Sequence, residues 1–263
     1  MRIKVNSIQI NYELSGKEGA PVVVLSHSLS SSLLMWNSQM DALNPYFQVL
    51  RYDIRGHGAS EAPSGSYTLD LLAEDVIGLL DALGMEWVNF VGLSMGGMIG
   101  QCLALNHPHR LKSLVLCDTA SIVPAEAQPV WQERLDKVRK NGMEALFEET
   151  LERWFTPAFL RQNPPMVKLI REQILATPVA GSIGCAEAIR RLDYLDRISE
   201  IKTPTLIMVG EDDPGMPVSA AEAMHKRITN SKLVVLPSAR HLSNVEQAET
   251  FNAALLEFLK NVS

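Results

Sequence analysis

The sequence predicts an α/β fold: a doubly wound, mostly parallel sheet with a helical lid inserted after the sixth strand. Three observations carry this. Continuous apolar runs without polar alternation, such as residues 21–26 and 111–117, read as strands covered on both faces. Segments of helical period separate these runs, so strand and helix alternate as parallel crossovers require. Between Asp118 and about residue 199 the strand pattern stops, and only helical signals remain.

The chain opens with two short alternating segments, residues 2–7 and 9–14, the pattern of an antiparallel hairpin at a sheet edge. Residues 21–26 are the first buried strand and run into His27-Ser28-Leu29-Ser30-Ser31-Ser32, a loop of small polar residues. A loop after an early central strand is where a second oxyanion donor sits, and the Leu29 N–H is the candidate, with a plain serine-rich turn as the alternative. Residues 46–52 form the next strand, followed by Asp53-Ile54-Arg55-Gly56-His57-Gly58. Two glycines around His57 mark a tight turn in which the histidine is a structural hydrogen-bonder, braced by Asp53 and Arg55. Thr68 is the N-cap of a helix whose Leu72, Val76, Leu79 and Leu83 recur at helical spacing up to Gly84.

Residues 87–91 then lead into Gly92-Leu93-Ser94-Met95-Gly96-Gly97, and residues 95–105 continue as a helix. Strand, sharp turn and helix around G-x-S-x-G describe a nucleophile elbow, in which a strained turn lifts the serine hydroxyl above the sheet edge. The Met95 N–H, at the helix N-terminus, is aimed where an oxyanion would form. Taken alone, the five residues also fit an ordinary serine in a glycine-rich turn, so the rest of the chain has to decide. Asn106-His107-Pro108-His109-Arg110 stops the helix, and residues 111–117 form the sixth strand.

In the insertion, residues 128–140, 143–154 and 165–177 look helical, separated by Asn141-Gly142, Thr156-Pro157 and Pro178-Val179-Ala180-Gly181. A helical block between two sheet strands cannot join the sheet and is expected to fold over it as a lid. The chain therefore divides into a core of residues 1–119 and 199–263 and a lid of residues 120–198. Strand character resumes at 204–210, followed by Glu211-Asp212-Asp213-Pro214, a helix at 218–227, a strand at 232–236, a loop bearing His241 and a closing helix at 245–260.

A serine hydroxyl is a weak nucleophile near neutral pH and needs a base in hydrogen-bond reach, itself oriented by an acid. The order Ser94, an acid after a later strand, then His241 after the last strand fits that requirement, and all three fall just beyond strand C-terminal ends. Asp213, Asp212 and Asp118 compete for the acid. Asp213 is preferred because Gly210 and Pro214 give its loop a shape that projects one side chain.

Composition removes other classes. A net charge of −6 from scattered acids leaves no basic stripe for nucleic acid and no basic amphipathic helix for membranes. Residues 1–10 lack a basic-then-apolar leader, so the expected location is cytoplasmic. Cys102, Cys117 and Cys185 have no C-x-x-C spacing and read as reduced packing residues.

Jointly, Tyr52-Asp53-Ile54-Arg55-Gly56-His57-Gly58, the Gly92–Gly97 elbow, Gly210-Glu211-Asp212-Asp213-Pro214 and His241 resemble the α/β-hydrolase superfamily over nearly the whole chain. Within it, Met35-Trp36-Asn37, Met95-Gly96-Gly97-Met98-Ile99-Gly100-Gln101, Arg153-Trp154-Phe155-Thr156 and Gly184-Cys185-Ala186-Glu187-Ala188-Ile189-Arg190 resemble the 3-oxoadipate enol-lactonases of aromatic catabolism. Two departures stand out. His27-Ser28 replaces the wider superfamily's His-Gly, which predicts a more crowded oxyanion loop, and Cys185-Ala186 stands where enol-lactonases often carry paired cysteines.

The resemblance implies a small-molecule lactone bearing a carboxylate as substrate, hydrolysed to 3-oxoadipate in the β-ketoadipate pathway through an acyl-enzyme, without metal or organic cofactor. Ser94, His241 and Asp213 would be the triad, and the Leu29 and Met95 N–H groups the oxyanion hole. Trp131, Arg134 and Trp154 are the candidate substrate contacts. Arg134 is chosen among Arg134, Arg153, Arg190 and Arg191 because it shares a helical turn with Trp131. A generic carboxylesterase, a cofactor-free perhydrolase or haloperoxidase, and a non-catalytic ligand receptor of the same fold are the alternatives.

Overall fold

The computed structural model describes residues 1–262. Eight strands make one sheet: β1 (Arg2–Val5), β2 (Ile8–Gly16), β3 (Val22–Ser26), β4 (Gln48–Tyr52), β5 (Val88–Leu93), β6 (Leu111–Cys117), β7 (Thr205–Gly210) and β8 (Ser231–Leu236). Their order is β1-β2-β4-β3-β5-β6-β7-β8. The β1–β2 and β2–β4 pairs are antiparallel, and every pair from β4 onward is parallel. The expected edge hairpin and parallel sheet are both present.

Helix α1 (Asn37–Leu43) follows β3, α2 (Leu69–Ala82) follows β4 and α3 (Met95–Asn106) follows β5. The insertion after β6 carries α4 (Gln128–Asn141), α5 (Phe147–Trp154), α6 (Pro157–Gln162), α7 (Pro165–Ala176) and α8 (Val179–Ile189). Then α9 (Val218–Arg227) follows β7, and α10 (Ser243–Glu246) and α11 (Ala248–Val262) follow β8.

The period-2 geometry of the strands sorts their side chains into two cores. Val24, Leu50, Phe90, Leu114 and Leu116 pack with Leu72 and Val76 of α2, Leu103 of α3 and Met224 of α9. Their neighbours Val23, Leu25, Val49, Val91 and Val115 pack on the opposite face with Leu43 of α1 and Phe251 and Leu255 of α11. Each such side chain removed from water contributes about 1.5–3 kcal/mol, so central strands apolar on both faces hold the sheet rigid beneath the loops at its C-terminal edge. Thr68 caps α2 as expected, its side chain accepting from the Leu71 N–H at 3.1 Å.

The insertion departs from the sequence reading in detail. Residues 143–154 break into a short 3₁₀ turn and α5, and α6 appears where only a Thr-Pro break was expected. Pro178-Val179-Ala180-Gly181, read as a separator, is instead the start of α8. Gly181 serves packing there: a Cβ on it would collide with the Gly56 backbone, so the glycine lets α8 press onto the His57 turn. Most of α8 is buried, which erases the one-sided periodicity that exposes a helix in sequence.

Candidate active site

Ser94 sits between β5 and α3 with φ 55° and ψ −114°, a conformation that side-chain-bearing residues avoid and that costs about 1–3 kcal/mol. The surroundings enforce it. Its N–H donates to the Cys117 carbonyl at 2.8 Å, and its carbonyl accepts from the Thr119 hydroxyl at 2.8 Å and the Met98 N–H at 3.1 Å. Both flanking glycines are required by close approach: a Cβ on Gly92 would strike the Gly96 backbone, and one on Gly96 would strike the Ser26 carbonyl. The turn predicted from G-x-S-x-G is therefore present, with the Met95 amide at the first helical position of α3. Met95 itself is fully buried.

His241 lies in the loop after β8 and is 7 % exposed. Its Nδ1 donates to Asp213 Oδ2 at 2.7 Å, leaving Nε2 as the free ring nitrogen. Asp213 Oδ1 accepts from the Gly215 and Met216 N–H groups at 2.8 and 3.0 Å, so the carboxylate is held at both ends. Ser94, His241 and Asp213 line one cavity. Among the described residues the Ser94 hydroxyl makes no hydrogen bond.

The competing acids are placed apart from the imidazole. Asp212 is exposed. Asp118 is fully buried, accepting from the Gly210 N–H at 2.8 Å and the Ser243 hydroxyl at 2.5 Å. Burial, and secondarily the neighbouring Asp213 charge, push its carboxyl well above the usual range. It pins the start of the Asp213 loop and the residue two beyond His241.

The loop carrying Leu29 is held by two histidines. The Ile54 N–H donates to His27 Nε2 at 2.9 Å, so His27 Nδ1 donates to the Ser28 carbonyl at 2.7 Å. The Ser30 N–H donates to His57 Nε2 at 3.0 Å. Both rings are fully buried, and burial pulls His27 down to about 4 and His57 to about 3, so both are neutral acceptors at physiological pH. The structural role expected of His57 is what the structure shows. Asp53 braces the same turn through the Leu33 and Ala59 N–H groups, each at 2.8 Å, whereas Arg55 reaches α2 and pairs twice with Asp75 at 2.7 Å. Ser28 and Leu29 both line the Ser94 cavity.

The insertion closes the cavity with Trp131, Arg134, Thr150, Arg153, Trp154 and Ile189. Trp154 is more than a wall: its ring stacks on His241 at 6.3 Å, and its carbonyl accepts from the Leu242 N–H at 3.1 Å. Glu246 ties the same two segments, accepting from the Thr156 N–H and the Arg240 N–H at 2.9 Å each. Of the four arginines weighed in the sequence, Arg134 and Arg153 line the cavity, while Arg190 bonds Gln128 and Gln132 and Arg191 lies near Glu187. Arg134 donates to the Thr150 hydroxyl at 3.3 Å and lies 5.9 Å from the Trp131 ring centre. Among the described residues neither Arg134 nor Arg153 has a salt-bridge partner. Burial first, and then repulsion from Arg153, lower Arg134 to about 10.

Sequence reading missed Met98, Thr150, Ile189 and Met216. Met98 was findable, since it lies four residues beyond Ser94 and so on the same face of α3. The cavity brings together a serine, an imidazole oriented by Asp213 and two arginines that have no salt-bridge partner among the described residues. Among the described residues no cluster of three His, Cys, Asp or Glu side chains is placed to hold a metal ion.

Comparison with known proteins agrees with this fold. The family model described as alpha/beta hydrolase fold matches residues 21–248. A 3-oxoadipate enol-lactonase of Acinetobacter baylyi is 35% identical over 258 residues, covering 98% of this chain and 96% of its own. A putative carbamate hydrolase, RutD, of Caulobacter segnis is 31% identical, covering 95% and 96% of the two chains. The crystal structure of the enol-lactonase from Burkholderia xenovorans LB400 superposes with a TM-score of 0.96 at 38% identity, covering 99% of this chain and 100% of that one.

Proposed function

This chain belongs to the alpha/beta hydrolase fold family, and from that membership we propose that it opens 3-oxoadipate enol-lactone to 3-oxoadipate by a Ser-His-Asp mechanism. His241 Nε2 takes the Ser94 proton as the hydroxyl oxygen attacks the lactone carbonyl. Asp213 holds the imidazole in the required tautomer and stabilises its protonated form. The Leu29 and Met95 N–H groups bind the tetrahedral oxyanion, each worth about 3–4 kcal/mol of barrier. Collapse breaks the ring C–O bond, and His241 returns the proton to the departing enol oxygen. The enol becomes a ketone, which removes the nucleophile that could close the ring again. Water, deprotonated by His241, then releases the acid from Ser94.

The observation that carries the substrate choice is the Arg134–Arg153 pair. Arg134 and Arg153 share the cavity without a salt-bridge partner among the described residues and repel each other, and an anionic substituent on the substrate relieves that repulsion while gaining charge-assisted bonds. Trp131 and Trp154 would flank the ring. In this reading residues 120–198 act as the lid over a core of 1–119 and 199–263, and the enzyme works in the cytoplasm on aromatic breakdown products. Among the described residues no helix is long and apolar enough to cross a membrane. The chemistry as written calls for no cofactor.

A turnover assay decides. Enol-lactone opening should exceed 4-nitrophenyl acetate hydrolysis by at least about 100-fold in kcat/KM, the ratio expected when about 3 kcal/mol of binding to the carboxylate is used, and Ser94→Ala should abolish it. Equal rates on both would make the protein a general carboxylesterase, peroxide-dependent halogenation would make it a perhydrolase, and a preference for carbamates would align it with the RutD relatives.

A further inference from the structure

Beside the Ser94 cavity lies a larger trough, about 470 Å³ against about 50 Å³. The two share Trp131, Arg134, Arg153, Gly215 and Met216, so the partition between them is built largely of side chains. The other walls of the trough are mostly apolar, with Ile122 and Val123 after β6, Ala127 just before α4, Val130 on α4, and Ala220 and Ala223 on α9, while Ser121 and Ser219 add hydroxyls. Among the described residues lining it, only Arg134 and Arg153 carry charge. Val130 is 60 % and Ile122 37 % exposed at its rim, apolar surface that a water-facing helix would ordinarily avoid when clustered.

The sizes decide where a larger substrate must go. The Ser94 cavity, at about 50 Å³, is much the smaller space, and the side chains of Trp131, Arg134, Arg153 and Met216 stand between it and the trough. A substituent extending past the lactone's own carboxylate arm therefore has the trough to enter, on the far side of the two arginines. We propose that the trough is a second substrate subsite, taking an uncharged alkyl or aryl arm on a lactone or ester whose carboxylate lies against Arg134 and Arg153. The proposal rests on the hydrolase reading above and extends it to substrates carrying both an anion and an apolar branch.

The probes are succinate, 2-butylsuccinate and 2-hexylsuccinate, whose dissociation constants for the whole protein are measured by calorimetry. The 4-nitrophenyl hemiesters of the same acids report turnover. A buried methylene strengthens binding up to about fourfold, so a partly buried hexyl arm should lower Kd at least about thirtyfold relative to succinate. Ala220→Trp and Ala223→Phe, each placing an aromatic ring in the trough, should shrink that ratio at least about tenfold while thermal unfolding stays cooperative. The ratio is the readout, so a general loss of affinity cannot imitate the effect. No gain on lengthening the arm, or a gain untouched by both substitutions, overturns the subsite. An alkyl gain without hemiester turnover would instead overturn the hydrolase reading and leave the trough as a ligand site.

Discussion

Replacing Asp213 with asparagine keeps the side-chain shape and removes the charge, and the structure determines which way the amide must point. Oδ1 accepts from two backbone N–H groups, of Gly215 and Met216, while Oδ2 accepts only from His241 Nδ1. An NH₂ turned toward the backbone would leave two donors unmet, at about 1–3 kcal/mol each. Turned toward His241 it disturbs one bond, so that orientation wins. The imidazole must then accept at Nδ1 and carry its proton on Nε2, the atom that has to receive the Ser94 proton. The corresponding change in a Ser-His-Asp protease lowers kcat about 10⁴-fold, equivalent to about 5–6 kcal/mol of barrier. The same drop is expected here, read as the loss of lactone ultraviolet absorbance at saturating substrate, with the unfolding midpoint moved by less than about 3 °C. Asp118→Asn is the parallel control and should lose less than about tenfold, because its amide oxygen still accepts from Gly210 and the Ser243 hydroxyl can rotate to accept. The reasoning is refuted if Asp213→Asn retains more than a tenth of wild-type kcat, or if Asp118→Asn falls as far.

Other outcomes follow from the same geometry. Ser94→Gly should be more stable than Ser94→Ala by about 1 kcal/mol in urea unfolding, since only glycine is at ease at φ 55°; equal stabilities would mean that the elbow holds no strain. Gly96→Ala forces a methyl group against the Ser26 carbonyl and should cost about 1–3 kcal/mol of stability together with most of the activity. Arg134→Gln should raise KM for the lactone at least about tenfold with little change in kcat, the loss of one charge-assisted contact, and leave the unliganded protein no less stable because repulsion with Arg153 is relieved. Between about pH 6 and pH 5, unfolding lets His27 and His57 bind up to two protons, so these histidines lower stability by up to about 2.7 kcal/mol per unit of acidification, while the raised Asp118 carboxyl acts in the opposite direction. Asp118→Asn should steepen that fall in urea titrations, and an unchanged slope would contradict the upward shift of the Asp118 carboxyl.

Local signals were legible wherever one face or one turn decided the structure. The edge hairpin, the buried strands, the capped α2 and the elbow all announce themselves through period, capping residue or glycine spacing. Helix α8 does not, because it is buried around most of its circumference, and its glycines answer to the Gly56 backbone and the Tyr67 ring, contacts distant in sequence. The sequence singled out Arg134 by its helical turn with Trp131 but could not show that Arg153 joins it while Arg190 and Arg191 turn away, since which cation of the insertion faces inward depends on how α4, α5 and α8 pack.

By itself the sequence determined the order of the elements, the strained serine turn and the supply of an acid and a histidine beyond late strands, because each follows from short-range sterics and periodicity. The sequence preferred Asp213 among three aspartates on loop shape, but only tertiary structure brought its Oδ2 to 2.7 Å from His241 while burying Asp118 against Gly210 and Ser243. It likewise stacked Trp154 on His241 and brought two arginines, without salt-bridge partners among the described residues, to one cavity. These outcomes depend on distances between segments far apart along the chain, and only the packed core fixes such distances.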